Sequence, residues 1–329
     1  MQEIDVNDIF SIKNESDFES VALLVFKYQA KFNPVYKKYL NILKKDVSKI
    51  KSPIDIPFLP IDFFKTHRII TETNNPEKTF LSSGTTGMVR SNHFITDLSV
   101  YEKSFIKSFE LFYGPITDFC ILALLPTYLE NESSSLVYMA DHLIHLSKHP
   151  QSGFYLNNID ELAQKLQLLE KENTKVLLIG VSYALIDLAE KFPLKLKNTI
   201  VMETGGMKGK RKELTRLELH NLLSQKLGVK SIHSEYGMTE LLSQAYSKGD
   251  GKFFCPPWMK VFIRDTYDPF SFLEYGKSGG INIIDLANIN SCSFIETKDL
   301  GKINLNGSFE VLGRFDYSDI RGCNLLIAE

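Results

Sequence analysis

Residues 81–91 read Leu81-Ser82-Ser83-Gly84-Thr85-Thr86-Gly87-Met88-Val89-Arg90-Ser91, a stretch rich in hydroxyl side chains and glycine. Gly84 and Gly87 allow the backbone to turn tightly and approach a ligand, and the hydroxyl and backbone N–H groups can donate to phosphate oxygens. A Walker loop would need glycine and lysine where this sequence has Val89 and Arg90. The stretch therefore predicts a phosphate-binding loop of another type, although alone it equally fits an ordinary surface loop.

Bulk composition limits the classes of protein to which the chain can belong. Its 329 residues are 43% hydrophobic and 12% aromatic, which allows a large core in one large or two closely associated domains. The formal net charge of −2 provides no basic field, so we expect no nucleic acid partner. The N-terminus is acidic, unlike a signal peptide, and the apolar run 119–125 is too short to cross a bilayer. We therefore expect a cytoplasmic protein without a membrane span.

The cysteines are Cys120, Cys255, Cys292 and Cys323, and no two of them have C-x-x-C spacing. This distribution indicates reduced thiols rather than a disulfide framework or a zinc site. Because Cys120 lies inside an apolar run, we expect it in the core.

The N-terminal region has a helical pattern. Apolar residues recur at helical spacing from Ser16 to Asp46, and Ser16 and Glu19 fit a capping box. Pro34 is expected to separate two helices in this region.

Beyond the loop at 81–91, short apolar or β-branched runs alternate with helix-length amphipathic segments, which favours a largely parallel sheet flanked by helices. After about residue 258 the helical pattern fades, and short strands are divided by Gly, Asn and Asp. We predict an α/β fold with mixed or parallel sheets. An α/β body with the N-terminal helices would span 1–257, and a small β-rich subdomain would span 258–329.

Polar clusters follow several predicted strands, where ligands of parallel α/β sheets bind. Glu203-Thr204-Gly205-Gly206 is a glycine turn whose backbone can lie against a ring or a phosphate. Glu235-Tyr236-Gly237-Met238-Thr239-Glu240 offers a ring, a hydroxyl and a carboxylate that could stack a base, bind phosphate and hold Mg²⁺. Thr297-Lys298-Asp299-Leu300-Gly301 and Gly313-Arg314-Phe315-Asp316 offer groups that can bind ribose hydroxyls. Each cluster alone also fits a cap, a turn or a solvated loop.

In this order, the loop and the four clusters resemble the adenylate-forming superfamily of acyl-CoA synthetases, peptide-synthetase adenylation domains and luciferases. The resemblance covers about residues 80–321 and implies that the chain binds ATP and Mg²⁺. It assigns the β- and γ-phosphates of ATP to the loop, through Ser82, Ser83, Gly84, Thr85, Thr86, Gly87 and Arg90.

The same resemblance distributes the other parts of the nucleotide among the clusters. Gly205 and Gly206 would line the adenine pocket, and Tyr236, followed by Gly237, would stack on adenine. Thr239 would contact the α-phosphate and, with Arg90, act in catalysis. Glu240 would bind Mg²⁺, and the ribose would be held by Asp299 and Arg314.

Two features depart from the superfamily pattern. Its members usually have proline and lysine at the positions of Val89 and Arg90. They also continue past the Gly-Arg motif into a small lid domain with a catalytic lysine, whereas this sequence stops at Glu329. On this basis we expect the C-terminal lid domain to be absent.

Over nearly its whole length the sequence is similar to one branch, the LuxE-type acyl-protein synthetases, which are relatives of the phenylacetate-CoA ligases. The segments that carry this similarity are 56–65, 82–87, 124–139, 152–155 and 319–325. The resemblance implies that a cysteine near the C-terminus, here Cys323, takes the acyl group from the acyl-adenylate and passes it to a reductase subunit. A thiolate is a good nucleophile, and the nearby Arg321 could lower its pKa.

The resemblance therefore implies ATP-dependent activation of a carboxylic acid, expected to be a fatty acid, followed by thioester formation on Cys323. The expected partners are the acid and a reductase or other acyl-acceptor protein. A homo-oligomer is possible, and the sequence does not decide whether one forms. A CoA ligase of the phenylacetate type and a non-catalytic nucleotide-binding subunit are the alternatives. The presence together of Thr239, Glu240, Asp299 and Arg314 counts against the second of these.

Overall fold

The structure, a computed structural model, describes residues 4–72, 75–83, 89–126, 131–205 and 214–314. These residues form two compact units, and neither unit is a continuous stretch of chain. The first unit comprises the described residues of 1–78, 91–97 and 257–329. The second comprises those of 79–90 and 98–256.

Helices and strands are numbered in chain order over the described residues. The helices are α1 (Val6–Ile9), α2 (Glu15–Phe32), α3 (Pro34–Ile42), α4 (Phe63–Thr66), α5 (Leu98–Tyr113), α6 (Ser135–Ser147), α7 (Ile159–Lys171), α8 (Ser182–Lys191) and α9 (Arg216–Leu227). The strands are β1 (Leu59–Pro60), β2 (Lys78–Leu81), β3 (Asn92–Ile95), β4 (Cys120–Leu124), β5 (Gly153–Phe154), β6 (Val176–Gly180), β7 (Thr199–Glu203), β8 (His233–Tyr236), β9 (Ala245–Ser247), β10 (Phe253–Phe254), β11 (Met259–Arg264), β12 (Ser278–Asp285), β13 (Phe294–Ile303) and β14 (Phe309–Arg314).

The first unit is built on antiparallel strands. β11, β12, β13 and β14 pair in that order, and β1 runs parallel to β13. Helix α2 packs through Phe26, whose ring meets Tyr36 of α3 at 6.2 Å and Phe294 of β13 at 6.0 Å, both edge-on. Such aromatic contacts stabilise the core beyond the burial of their apolar area.

Helix α2 begins at Glu15, and its N-cap lies two residues before the predicted one. Asn14 is the N-cap, and its side chain accepts from the backbone N–H of Asp17 at 3.0 Å. The prediction of Ser16 as the cap is therefore wrong, because Asn14 is an equally good cap residue with its acceptor in the right place. Helix α3 begins at Pro34, as the sequence predicts.

Buried amide groups attach the N-terminal helices to the C-terminal residues of the first unit. The fully buried Gln29 of α2 donates to the carbonyl oxygens of Asn288 and Ile289, both at 2.9 Å, and accepts from the backbone N–H of Ser293. Asn33 donates to the carbonyl of Ser291 at 2.8 Å. The N-terminal helices thus cluster with the residues after 257. The division into 1–257 and 258–329 stays a prediction.

The second unit contains a parallel sheet. Strands β5, β4, β6, β7 and β8 are parallel neighbours in that order, and β9 and β10 extend the sheet in antiparallel fashion. Every residue of β4 and β6 is buried, as expected for parallel strands covered on both faces by helices. The parallel strands end at Leu124, Gly180, Glu203 and Tyr236, so the loops that follow lie at one edge of the sheet.

The predicted α/β fold class is confirmed, with helices flanking a parallel sheet in one unit and antiparallel strands dominating the other. Among the described residues, no helix combines the length and the apolar character that a bilayer crossing requires.

Candidate functional site

A cavity of about 330 Å³ lies in the second unit at the carboxyl ends of its parallel strands. Val181 follows β6, Thr204 follows β7, and Gly237 follows β8, and all three line the cavity. This is the position at which open α/β sheets bind ligands. The cavity is therefore the candidate active site.

The described part of the glycine-rich loop contributes three of the predicted residues to this cavity, namely Ser82, Ser83 and Arg90. Ser82 is half-buried, while Ser83 and Arg90 are exposed. Gly237 and Thr239, from the stretch after β8, line the same cavity. The structure thus brings together five predicted site residues that lie up to 157 positions apart in sequence (82 to 239).

The start of α6 adds a serine cluster that the sequence reasoning did not assign to the site. Ser133, Ser134 and Ser135 line the cavity, as does Asn131. Ser134 caps the helix, accepting from the backbone N–H of Val137 at 3.3 Å. A helix N-terminus carries a partial positive charge, so this end of α6 favours an anion in the cavity. In the sequence, the run of three serines before an apolar helical pattern is the feature that indicates this cluster.

Glu203, at the end of β7, organises the turn that follows this strand. It is buried, and its Oε2 accepts from the backbone N–H of Gly205 at 2.7 Å. Its Oε1 lies 3.7 Å from both Arg216 Nε and His220 Nε2 of α9. Burial raises the pKa of Glu203, but His220, Arg216, Ser234 and the N–H of Gly205 together outweigh burial and leave the pKa below its usual value.

Gly205 has a φ of +73°, a conformation that glycine adopts at little cost. It does not belong to the cavity lining described above. Its predicted role beside adenine therefore stays a prediction.

Tyr236 and Glu240, both predicted to contact ligands, are buried beside the cavity rather than in its lining. The Tyr236 ring meets Phe253 of β10 edge-on at 5.8 Å. Glu240 follows the cavity-lining Thr239 directly in sequence.

Glu235, which the sequence reasoning did not assign to the site, lines the cavity. Its carboxyl forms no hydrogen bond or ion pair with the part of the chain that the structure describes. Burial, with a smaller contribution from the charge of Glu203, raises the pKa of Glu235 to about 8. Gly237 packs against this carboxyl so closely that a Cβ at position 237 would collide with Glu235 Oε1.

Two further polar groups at the cavity lack partners among the described residues. These atoms are Thr204 Oγ1 and Gln244 Oε1, both inaccessible to solvent. The Gln244 side chain as a whole is also buried, with 4% of its surface exposed. Buried polar atoms are nearly always hydrogen-bonded, so we expect these two oxygen atoms to bind a ligand or water in this cavity.

Asp299 and Arg314, the predicted ribose ligands, lie opposite each other on β13 and β14 of the first unit. Arg314 Nε is 3.3 Å from Asp299 Oδ1, with Arg314 largely exposed. The Asp299 backbone N–H donates to Thr297 Oγ1 at 3.1 Å. The sequence reasoning did not identify Arg264, which is 3% exposed and donates to the carbonyl of Thr297 at 2.7 Å, holding this segment in place.

The structure distinguishes the thiols by burial. Cys120 and Cys292 are fully buried, and burial raises their pKa values to about 11 and about 12. Cys255 is half-buried. Because the thiolate is the nucleophile, Cys120 and Cys292 are poor candidates for acylation.

Several predicted site residues lie outside the described residues. They are Gly84, Thr85, Thr86, Gly87, Gly206 and Cys323.

The fold is shared with solved adenylate-forming enzymes. ATP-bound MatB from Rhodopseudomonas palustris superposes with a TM-score of 0.55 at 18% identity, covering 72% of this chain and 47% of that one. The 2-hydroxyisobutyryl-CoA ligase, in complex with 2-HIB-AMP and CoA, superposes with a TM-score of 0.69 at 14% identity, covering 92% of this chain and 68% of that one. At these identities the likeness establishes the fold. This chain spans about half the length of the MatB chain.

The chain therefore has the fold of these two solved enzymes. A search of curated proteins gave no significant match. The family model of the acyl-protein synthetases of the LuxE type matches residues 10–329. The chain belongs to this family, and the resemblance seen in its sequence is confirmed.

Proposed function

We propose that the protein activates a carboxylic acid with ATP and then carries the acyl group as a thioester on Cys323. The observation that carries this proposal is the single cavity shared by Ser82, Ser83, Arg90, Gly237 and Thr239. Hydroxyl groups, a glycine backbone and a guanidinium at the ends of parallel strands suit a polyphosphate ligand.

In the first step, a carboxylate oxygen of the acid attacks the α-phosphorus of ATP. The bond to the bridging oxygen breaks, so acyl-adenylate forms and pyrophosphate leaves. Arg90 and the serine hydroxyls stabilise the charge on the departing phosphates, and Thr239 binds the α-phosphate. Such reactions depend chiefly on positioning and on electrostatic stabilisation.

Glu240 is the residue that would hold Mg²⁺. Among the described residues there is no cluster of three or more metal-binding side chains. Mg²⁺ is usually bound through one or two carboxylates together with substrate phosphates. When bound there, the ion would neutralise charge on the phosphates.

Gly205, Gly206 and Tyr236 would bind adenine, and Asp299 and Arg314 would bind the ribose. In the second step the Cys323 thiolate attacks the carbonyl carbon of the mixed anhydride, so a thioester forms and AMP leaves. The buried state of Cys120 and Cys292 supports the choice of Cys323 over these two thiols. The acyl group, which the family resemblance suggests is a fatty acyl group, would pass to a partner reductase or acyltransferase in the cytoplasm.

The test is incubation with ATP, Mg²⁺ and a radiolabelled carboxylic acid without CoA, followed by denaturing gel electrophoresis. The wild type, Cys323→Ser and the matched control Cys255→Ser are compared. We expect hydroxylamine-labile label on the wild type and on Cys255→Ser, and none on Cys323→Ser.

Other outcomes separate the alternatives. Label that persists on Cys323→Ser but disappears from Cys255→Ser would move the acceptor to Cys255. Free acyl-CoA after addition of CoA, with no labelled protein, would favour the CoA ligase. The absence of acid-dependent pyrophosphate exchange with every acid would contradict the activation step itself.

A further inference from the structure

A second cavity, of about 470 Å³, lies in the first unit between the segment that follows α3 and the loop that follows β11. Over the described part of the chain it shares no lining residue with the candidate active site. Its floor is apolar and includes the buried side chains of Ile50, Ile56 and Phe58. The proposed adenylation chemistry makes no use of this cavity.

The floor is supported from below, whereas two apolar side chains at its edge are exposed. The Phe58 ring meets Phe262 at 6.0 Å and Phe272 at 5.8 Å. Ile54 and Phe270 line the same cavity with 48% and 49% of their surface exposed. Single exposed apolar residues are common, but several that border one concave apolar surface indicate an interaction site.

Phe270 lies on a loop that its own aspartates hold in shape. Asp265 accepts from the backbone N–H of Tyr267 at 2.7 Å, and Asp268 accepts from that of Phe270 at 3.1 Å. Lys45 Nζ lies 5.2 Å from the centre of the Phe270 ring. The ring is thus held at the cavity before any partner binds, which lowers the entropy cost of binding.

Lysine side chains border this cavity. Lys44, Lys45 and Lys49 line it and are exposed, and none of them forms an ion pair with another described residue. They belong to the segment 37–51, which has six lysines and one acidic residue and hence a net charge of +5. The whole chain has a net charge of −2, so positive charge is concentrated in this segment.

Two carboxylates also line the cavity, and both accept hydrogen bonds from their own segments. Asp46 Oδ1 accepts from the backbone N–H and the hydroxyl of Ser48 at 3.0 and 2.7 Å. Asp55 Oδ2 accepts from the backbone N–H of Ser52 at 3.2 Å. The lysines are therefore the charged groups that a partner can pair with. A concave surface that also contains carboxylates is a poor match for an anionic bilayer, which attracts basic patches through its negative surface potential.

We propose that this cavity, the lysine groove, is a docking site for an acidic segment of another protein with an aromatic or aliphatic anchor residue. The anchor packs against Phe58 and Phe270, and carboxylates on either side of it pair with Lys44 and Lys49. Buried anchors supply most of the binding free energy at such interfaces, and complementary charges give specificity and faster association. This inference goes beyond the proposed function and does not rest on it.

Fluorescence anisotropy with labelled peptides and the full chain tests the proposal. The probe is the peptide Glu-Glu-Phe-Leu-Glu-Glu. One control peptide, Lys-Lys-Phe-Leu-Lys-Lys, reverses the charge, and the other, Glu-Glu-Ser-Gly-Glu-Glu, lacks the anchor. The protein variants are Phe270→Ala and the triple variant with Lys44→Glu, Lys45→Glu and Lys49→Glu. The matched control carries the same change at three exposed lysines of the second unit, Lys195, Lys197 and Lys230.

We expect the wild type to bind the probe with a dissociation constant at least about tenfold below that for either control peptide. The triple variant should weaken binding by about tenfold or more and Phe270→Ala by about fivefold, while the matched control stays within about twofold of the wild type. Added salt should weaken binding of the probe, because it screens exposed charges. Urea unfolding checks that each variant is folded, and Lys49→Glu alone replaces the triple variant if that one is not.

The proposal is overturned if the wild type does not bind the probe at millimolar concentration, or if it binds the control peptides equally well. Unchanged binding by the lysine variant or by Phe270→Ala would also overturn it. Vesicles of equal parts phosphatidylserine and phosphatidylcholine provide a further arm. If the wild type binds these vesicles but not the probe, and the lysine variant binds neither, the groove contacts a membrane surface instead.

Discussion

Glu203 Oε2 and the backbone nitrogen of Gly205 are 2.7 Å apart, so a buried carboxylate at the end of β7 holds the first turn of the loop that follows. The carboxylate also lies 3.7 Å from Arg216 and His220, both on α9. One side chain thus connects a strand end, a turn with positive φ and a helix. This arrangement explains why a charged residue occupies a position that is otherwise core.

Replacement of this carboxylate tests its contribution. We expect Glu203→Gln to lower the free energy of unfolding at pH 7 by about 1–3 kcal/mol, the cost of an impaired buried hydrogen-bond network. The folded-state pKa of Glu203 is lowered, so its stabilisation is present above its unfolded pKa and is lost as the pH falls through the folded pKa. Urea unfolding at neutral and acidic pH measures this, with the exposed Glu172→Gln as control. An equal difference at both pH values would contradict the assignment.

For Glu235 we expect the free energy of unfolding to depend on pH in the opposite direction. Its pKa is raised to about 8 in the folded chain, so between its unfolded pKa and about pH 8 the folded state binds the extra proton. The wild type should therefore lose stability relative to Glu235→Gln as the pH rises through this range, by at most about 1.4 kcal/mol per pH unit. Urea unfolding from pH 5 to pH 8 measures the difference. The exposed Glu110→Gln on α5 should show no such trend, and a flat difference for Glu235→Gln would refute the prediction.

Gly237 sets the position of the Glu235 carboxyl. A Cβ at position 237 would collide with Glu235 Oε1, which is the flexible end of a side chain, so the carboxyl should rotate away at a cost of about 1 kcal/mol. Gly237→Ala and Glu235→Ala should therefore be non-additive, with the double variant more stable than the sum of the single effects indicates. A double-mutant cycle from chemical unfolding measures the coupling. Strict additivity would show that the two side chains do not interact.

Arg264 is expected to be essential for the stability of the first unit. Its guanidinium is 3% exposed and donates to the carbonyls of Ile281 and Thr297 and to Asn282 Oδ1 at 2.7–3.0 Å. Arg264→Met should cost about 3–5 kcal/mol, because it leaves buried acceptors and the nearby Glu296 carboxyl without their partner. The matched control is Arg68→Met, since Arg68 is exposed over the Phe94 ring. Equal thermal denaturation midpoints for the two variants would contradict this role.

Arg90 is expected to affect catalysis rather than stability. It is exposed at the cavity, so Arg90→Met should unfold like the wild type while acid-dependent pyrophosphate exchange falls by about 10²-fold. Arg90→Lys should retain part of the activity, because lysine keeps the charge but not the forked guanidinium. Lys107→Met, an exposed cation on α5, is the control. Full exchange activity in Arg90→Met would show that Arg90 has no role in the reaction.

The sequence was most informative where burial produces a pattern. Fully buried parallel strands such as Cys120–Leu124 and Val176–Gly180 appear as short apolar runs, and the turn residues after them identify the ligand edge of the sheet. It was the resemblance to the adenylate-forming superfamily that assigned Ser82, Arg90 and Thr239 to one site, and all three line one cavity.

The sequence was least informative where side-chain direction or distant contacts decide the outcome. Glu235 and Tyr236 are neighbours, yet only the strand geometry shows which of them lines the cavity. Gln244 directly follows Ser243 and has no local pattern that indicates a ligand. The contact of Gln29 with Asn288 joins residues 259 positions apart, a distance over which local periodicity carries no information.

The contact between Gln29 and Asn288 also determines which parts of the chain can complete their packing first during synthesis on the ribosome. Helix α2 emerges early, but the residues that pair with Gln29 and Asn33 are translated more than 250 positions later. At roughly 5–20 residues per second, the N-terminal helices wait on the order of 10–50 s without their partners. The second unit has all of its residues by Pro256 and can complete its parallel sheet during that interval. The nascent chain must therefore keep the apolar faces of α2 and α3 from aggregating, a task suited to a chaperone that binds as they leave the exit tunnel.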